Sequence, residues 1–275
     1  MSDLLRAAFG PDPVAAIAAA FLIVNLTVGA SILTVAIARP PLRRVLGPAL
    51  TYELWLVPLF VLLATLLTVF VPTSTEAGSL AARAARLPHL ELITPVWAFG
   101  AAALASVFGF AQARFEDDVS AGRGGPAVVG LISPRIVLPA DDGTYSAEER
   151  GLIRAHERAH VARKDPRAAA LAATFQCLCW FNPFAHLAAY LIRLDQELAC
   201  DAAVMLSRPG DRALYARTLL KTQLAATPLP FGCYWPARGL HPLEVRVGML
   251  KRRTDKGPQR PGACVVLPSI DPIRP

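Results

Sequence analysis

The chain has 275 residues, with 28 Lys+Arg against 21 Asp+Glu, a formal net charge of +7, 54% hydrophobic residues and only 18% charged ones. Its pI is near 9.5 and its mean hydropathy is +0.41. An average soluble domain carries roughly 25% charged residues, so the composition excludes a disordered chain, which needs low hydrophobicity, and argues against a wholly soluble one.

Three uncharged stretches hold the apolar excess: Val14 to Ala38, Leu54 to Val71 and Thr94 to Ala113, of 25, 18 and 20 residues. A helix needs roughly 20 apolar residues to cross the hydrocarbon core, and all three are predicted to span a membrane. The first is longer than a signal-peptide core of roughly 7–15 residues and lacks a basic segment before it, so it reads as a retained anchor. The connection between the first two stretches holds Arg39, Arg43 and Arg44. The next holds Arg83 and Arg86 balanced by Glu76 and Glu91, and residues 114–275 carry 22 of the 28 basic residues and 16 of the 21 acids. The positive-inside bias then puts the N-terminus outside and everything after Arg114 in the cytoplasm. That places the five irregularly spaced cysteines (Cys177, Cys179, Cys200, Cys233, Cys264) on the reducing side, where no disulfide framework is expected. Attraction to anionic lipid headgroups accounts for the basic balance. Neither a helix-turn-helix nor a finger spacing is present to suggest direct nucleic-acid binding.

Arg114 to Gly125 reads as a charged, glycine-rich link, followed by short strands at Ala127 to Ile132 and Arg135 to Leu138. Ser146 and Glu149 form a capping box, predicting a helix from about Ala147 to Arg163, with Pro166 just beyond. That helix carries His156-Glu157-Arg158-Ala159-His160. Two histidines at i and i+4 share a face and can hold one metal ion, and the glutamate beside the first is placed to take a proton from the water that such an ion activates. A zinc site needs a third protein ligand. Glu197 and Asp201, again at i and i+4, offer a ligand carboxylate and an outer carboxylate that could accept the free N–H of a ligand histidine; a charged helix end is the other reading of the pair.

Residues 168–192 are also uncharged and long enough to cross a membrane once. A single crossing would part His160 from Glu197, which could not then share an ion. Asn182-Pro183, an N-cap followed by a favoured first helical residue, predicts instead a helical hairpin over 167–206 with Trp180 and Phe181 at its tip. His186 reads as a hairpin histidine, and Cys177, Cys179 and Cys200 as packing residues.

HERAHVARKD, then WFNPFAH, then LDQELACDAAV together resemble the BlaR/MecR family of membrane metallopeptidases, the β-lactam sensor-transducers and antirepressor regulators. GLISPRIVLP and RALYARTLL fit the same pattern, and the likeness covers about residues 1–253. The resemblance implies a mainly helical membrane protein. Its parts are a transmembrane region over 1–113, an inward-facing gluzincin-like zinc metallopeptidase domain over 114–253 with a small strand unit, and a Pro-rich tail over 254–275 expected to be disordered. His156 and His160 resemble the paired zinc ligands, Glu157 the catalytic base and Glu197 the third ligand, while Asp165 and Asp201 match acidic positions that support the site. The best-known members continue into a further membrane helix and an outer penicillin-binding sensor. The residues after Met249 contain no apolar run that could span, and no Ser-x-x-Lys motif occurs in the chain, so a short member without its own β-lactam sensor is expected.

The expected reaction is zinc-assisted hydrolysis of a peptide bond in a cytoplasmic repressor or in the chain itself, with Arg252-Arg253 a candidate self-cleavage point. A homodimer or a separate sensor protein is the expected partner. An oxyanion stabiliser is required; Arg193, Tyr215 and His186 are the candidates. Two other readings stay open: a membrane zinc protease of the heat-shock or prenyl-processing kind, and a transducer that keeps the fold without catalysis.

Overall fold

The structure, a computed structural model, describes residues 13–70, 90–122, 124–138, 143–225 and 242–251. Over these residues the chain is mainly helical. The elements are α1 (Pro13–Glu53), α2 (Leu56–Phe70), α3 (Leu90–Ser120), strands β1 (Ala127–Val129) and β2 (Arg135–Val137), α4 (Ala147–Arg163), α5 (Asp165–Leu178), α6 (Pro183–Ser207), a 3-10 turn (Pro209–Asp211), α7 (Arg212–Ala225) and α8 (Pro242–Lys251). They form two compact units. Among the described residues, the first draws on 13–47, 51–70, 90–111 and 171–192, the second on 48–50, 112–122, 124–138, 143–170, 193–225 and 242–251. The expected tail, Arg252-Arg253 and most of the connection between the second and third apolar stretches lie outside the described residues.

Among the described residues, two helices are long and apolar enough to cross a membrane, Ala18–Glu53 and Leu92–Ser120, and Leu56–Thr68 is a shorter apolar helix. Val24, Val28, Ile32 and Val35, about one turn apart along α1, are buried with Trp55 and Ala188. Leu26, Leu33 and Ile37 on α1, Phe60, Leu63 and Leu67 on α2, and Val96, Phe99 and Val107 on α3 point outward, an apolar surface that water does not favour. Helix α1 does not stop at Ala38 as expected. It runs through Arg39, Arg43 and Arg44 to a kink at Gly47 (φ 82°, ψ 170°). Pro48 pushes its predecessor out of the helical region and glycine accepts a positive φ, so the break falls there and the basic residues lie on a helix.

The turn between α5 and α6 is tied down by Asn182. Its Oδ1 accepts the Phe184 N–H (2.9 Å), capping α6, and its Nδ2 donates to Asn25 Oδ1 (3.1 Å). Both asparagines are buried. Trp97 Nε1–H donates to the Leu178 carbonyl (2.6 Å) and Trp180 Nε1–H to the Trp97 carbonyl (3.2 Å). Phe21 meets Trp97 and Phe181 edge-on.

In the second unit, Ser146 Oγ accepts the Glu149 N–H (3.2 Å) and Glu149 Oε2 accepts the Ser146 N–H (2.8 Å), a complete capping box. Helix α4 ends at Lys164, which adopts a left-handed conformation (φ 60°). Lys221 on α7 reaches Glu149 (3.0 Å). The strands are shorter than expected and pair antiparallel, Val128 against Ile136. Gly130 starts the turn at φ +101°, where a Cβ would lie 2.7 Å from the Ser133 carbonyl oxygen, so Leu131 and Ile132 leave the ladder. Helix α3 runs on to Ser120 instead of giving way to a link at Arg114, because Phe115 and Val119, one turn apart, pack on Ala127 and Val129. A core of Leu152 (α4), Val204 (α6), Tyr215 and Leu219 (α7) and Leu250 (α8) joins four helices. The chain leaves this unit at Ala170 and returns at Arg193, so α6 comes back to the unit that holds α4.

Two outcomes are expected of thermal melts in detergent. Ser146→Ala lowers stability by about 1 kcal/mol through loss of the cap. The Ser146 N–H and Lys221 hold the Glu149 carboxyl below its ordinary 4.5, so its contribution is present above that value, fades as pH falls through the depressed one, and disappears in Glu149→Gln. Second, Asn182→Ala and Asn25→Ala each destabilise by about 1–3 kcal/mol, the usual cost of orphaning a buried polar partner, while the double variant costs less than their sum.

Candidate metal centre

Helix α4 presents His156 and His160 one turn apart, and α6 presents Glu197. The two histidine Nε2 atoms lie 3.1 Å apart. Glu197 Oε2 is 3.3 Å from His156 Nε2, and its Oε1 is 3.7 Å from His160 Nε2. One ligand atom from each residue falls within 4.8 Å of the others. Tetrahedral zinc holds imidazole nitrogens at roughly 2.0–2.1 Å, which spaces two of them about 3.3 Å apart. The donor set and its spacing therefore fit one zinc ion. All three residues line a cavity of about 480 Å³, together with the buried Glu157.

Hydrogen bonds on the far side of each ring fix which nitrogen faces the centre. His160 Nδ1–H donates to Asp165 Oδ2 (2.8 Å). Tyr215 O–H donates to Asp201 Oδ1 (2.6 Å). That uses the only hydroxyl proton, so Tyr215 must accept from His156 Nδ1, 2.8 Å away. With Nδ1 engaged on its far side, each ring turns its Nε2 toward Glu197, the atom a metal would take. Asp201 was expected to take the ring N–H directly. It stands 3.5 Å from His156 Nδ1, and Tyr215 joins the two.

Arg246 on α8 closes the network. Its Nε and Nη2 donate to Asp201 Oδ2 and Oδ1 (2.8 and 2.7 Å), and its Nη1 pairs with Glu197 Oε2 (2.8 Å). Burial works against its charge, but Glu197 and Asp201 outweigh burial and raise its pKa above the ordinary arginine value. Burial likewise opposes ionisation of Glu197, yet Arg246 and the two histidines hold its carboxyl well below the usual range. Glu157 goes the other way: burial raises its carboxyl above 4.5 against the pull of His156 and His160, which makes it a stronger proton acceptor than a solvated carboxylate. Burial and the Asp201 charge keep the Tyr215 hydroxyl protonated. Burial also pushes the Cys200 thiol up to about 11. It donates to Asp165 Oδ2 (3.6 Å) and lies 3.4 Å from His160 Nδ1.

Of the oxyanion candidates, Arg193 and Tyr215 line the cavity, and the one proton of Tyr215 is held by Asp201. His186 is not brought to the cluster. Its Nε2–H donates to the Trp180 carbonyl (2.8 Å) and its Nδ1 accepts from Gln176 (3.2 Å), so both nitrogens serve the hairpin in the first unit. Arg246 was missed in the sequence. A signal was present: it shares one face of a short helix with Leu243, Val247 and Leu250, which pack in the core, and a cation inside an apolar stripe calls for a buried partner.

The profile of the BlaR1 peptidase M56 family matches residues 116–250. A stretch of 80 residues, 29% of this chain, is 32% identical to the regulatory protein BlaR1 of Bacillus licheniformis and covers 13% of that protein's length. No solved structure matches. Every member of the cluster, from His156 to Arg246, falls inside the matched stretch, and residues 116–250 belong to the BlaR1 peptidase M56 family.

Proposed function

We propose that the chain is a membrane-embedded zinc metalloendopeptidase of the gluzincin-like kind. Helices α1, α2 and α3 span the bilayer with the N-terminus outside, and the catalytic unit lies in the cytoplasm. The outward apolar side chains of the three helices and the basic balance of residues 114–275 support this placement. His156, His160 and Glu197 hold one zinc ion, Glu157 is the general base, and Asp165 and Asp201 support the histidines. The observation that carries the reading is the convergence of two Nε2 atoms and one ionised carboxylate, with each Nδ1 tied to a partner of its own.

Bound zinc supplies Lewis acidity that polarises the scissile carbonyl and acidifies water near neutral pH. Glu157 takes the proton of the attacking water and passes it to the leaving amide nitrogen. Val128, Val129 and Gly130 line the same cavity, so an extended peptide can pair with that strand edge beside Glu157. Arg193, one of the cations that line the cavity, is retained for the developing oxyanion. The substrate is a cytoplasmic regulatory protein, a repressor above all, or the chain itself, and a second copy or a separate sensor protein delivers the signal. The match to a protein named as regulatory supports this choice over membrane quality control or lipidated-protein processing.

The test is metal analysis with cleavage of the purified full chain in detergent, read on self-cleavage and on a peptide mixture. Wild type and Glu157→Gln are expected to hold about one zinc each, while Glu157→Gln loses about 10²–10⁴-fold in hydrolysis, the usual value of a positioned base. His160→Ala is expected to lose the metal itself. A folded wild type without zinc would overturn the site assignment. Zinc without cleavage in any variant would favour a transducer that does not catalyse.

A further inference from the structure

Resting on the zinc reading above, we infer that Arg246 is a positioning residue that sets the metal affinity of the site by orienting two of its three ligands at once. One arm is direct: Nη1 on Glu197 Oε2 at 2.8 Å. The other runs through two residues. Nε and Nη2 grip both oxygens of Asp201, Asp201 takes the Tyr215 hydroxyl proton, and Tyr215 takes the N–H of His156. Arg246 is 4% exposed, so solvent screens its contacts only weakly.

The planar fork is what allows this. Three nitrogens of one rigid group reach two carboxylates on a single helix face, whereas a lysine ammonium offers one point of charge. The arrangement is tied mechanically to its helix. Leu250 of α8 is buried in the same core as Tyr215, with Leu243 and Val247 packed against it. The docking of α8 and the orientation of His156 and Glu197 are therefore one structural event. Without the cation, Glu197 and Asp201 lose their shared counter-charge. The pair then splays, and Tyr215 no longer holds the Nδ1 proton of His156 in place.

The experiment uses the full chain in detergent. Zinc affinity is measured by competition with a chromophoric chelator, the ligand field by the Co²⁺ absorption spectrum, and folding by melting of the metal-free protein. Arg246→Gln and Tyr215→Phe are expected to weaken zinc binding about 10–100-fold, as loss of residues that orient ligands does, and to alter the Co²⁺ bands. Arg246→Lys is expected to recover only part of the loss. A residue with a merely structural role would lower the melting temperature while leaving the affinity and Co²⁺ spectrum of the folded protein unchanged, and that result in Arg246→Gln overturns the inference. If Arg246→Gln does not fold, Tyr215→Phe decides, and wild-type affinity with an unchanged spectrum overturns it. A folded wild type that binds no zinc defeats the metal reading itself, which is a different failure and is visible before any variant is made.

Discussion

Two carboxylates one turn apart on an inward-facing helix surface repel each other unless a cation stands between them. Burial penalises each charge, and their mutual repulsion adds to the cost. Glu197 and Asp201 are such a pair, and Arg246 answers both. The rest of the second unit follows from that contact. Helix α8 must dock where its guanidinium reaches α6, α7 must place Tyr215 between Asp201 and His156, and α4 must present its histidines to the same spot. The shared core of Leu152, Val204, Tyr215, Leu219 and Leu250 is the apolar side of the same demand.

A second constraint acts on the path of the chain. His156 and His160 precede an uncharged stretch and Glu197, which meets them, follows it, so the stretch must double back. The turn that allows this is made by a buried asparagine that caps one helix and bonds to another asparagine on α1. Burying an amide is costly unless it is fully bonded, and Asn182 is bonded through both its oxygen and its nitrogen.

Local patterns in the sequence carried much of this. The Ser146–Glu149 box marked the start of α4, the spacing of His156 and His160 put both on one face, and Asn182-Pro183 marked the hairpin. What escaped was the part of the network whose members carry no motif and lie far from their partners in sequence. Tyr215 lies 59 residues from His156, and Arg246 lies 45 from Asp201, so no local period links them; Tyr215 was noticed, but for a different task. The ends of α1 and α3 were also misplaced. Charge suggested loops at Arg39 and Arg114, but Gly47-Pro48 and the packing of Phe115 set the real limits. In both cases tertiary context overrode a compositional signal.

The dependence on α8 bears on how completeness is judged in chains of this kind. A copy that ends before residue 242 would keep the paired histidines, the glutamate between them and the acidic pair on α6, and by inspection of motifs it would look intact. Electrostatically it would be a different molecule, with Glu197 and Asp201 left without their shared cation and a core short of Leu250. For this architecture, the test of an intact centre is whether an arginine-bearing helix follows the last tyrosine-bearing one.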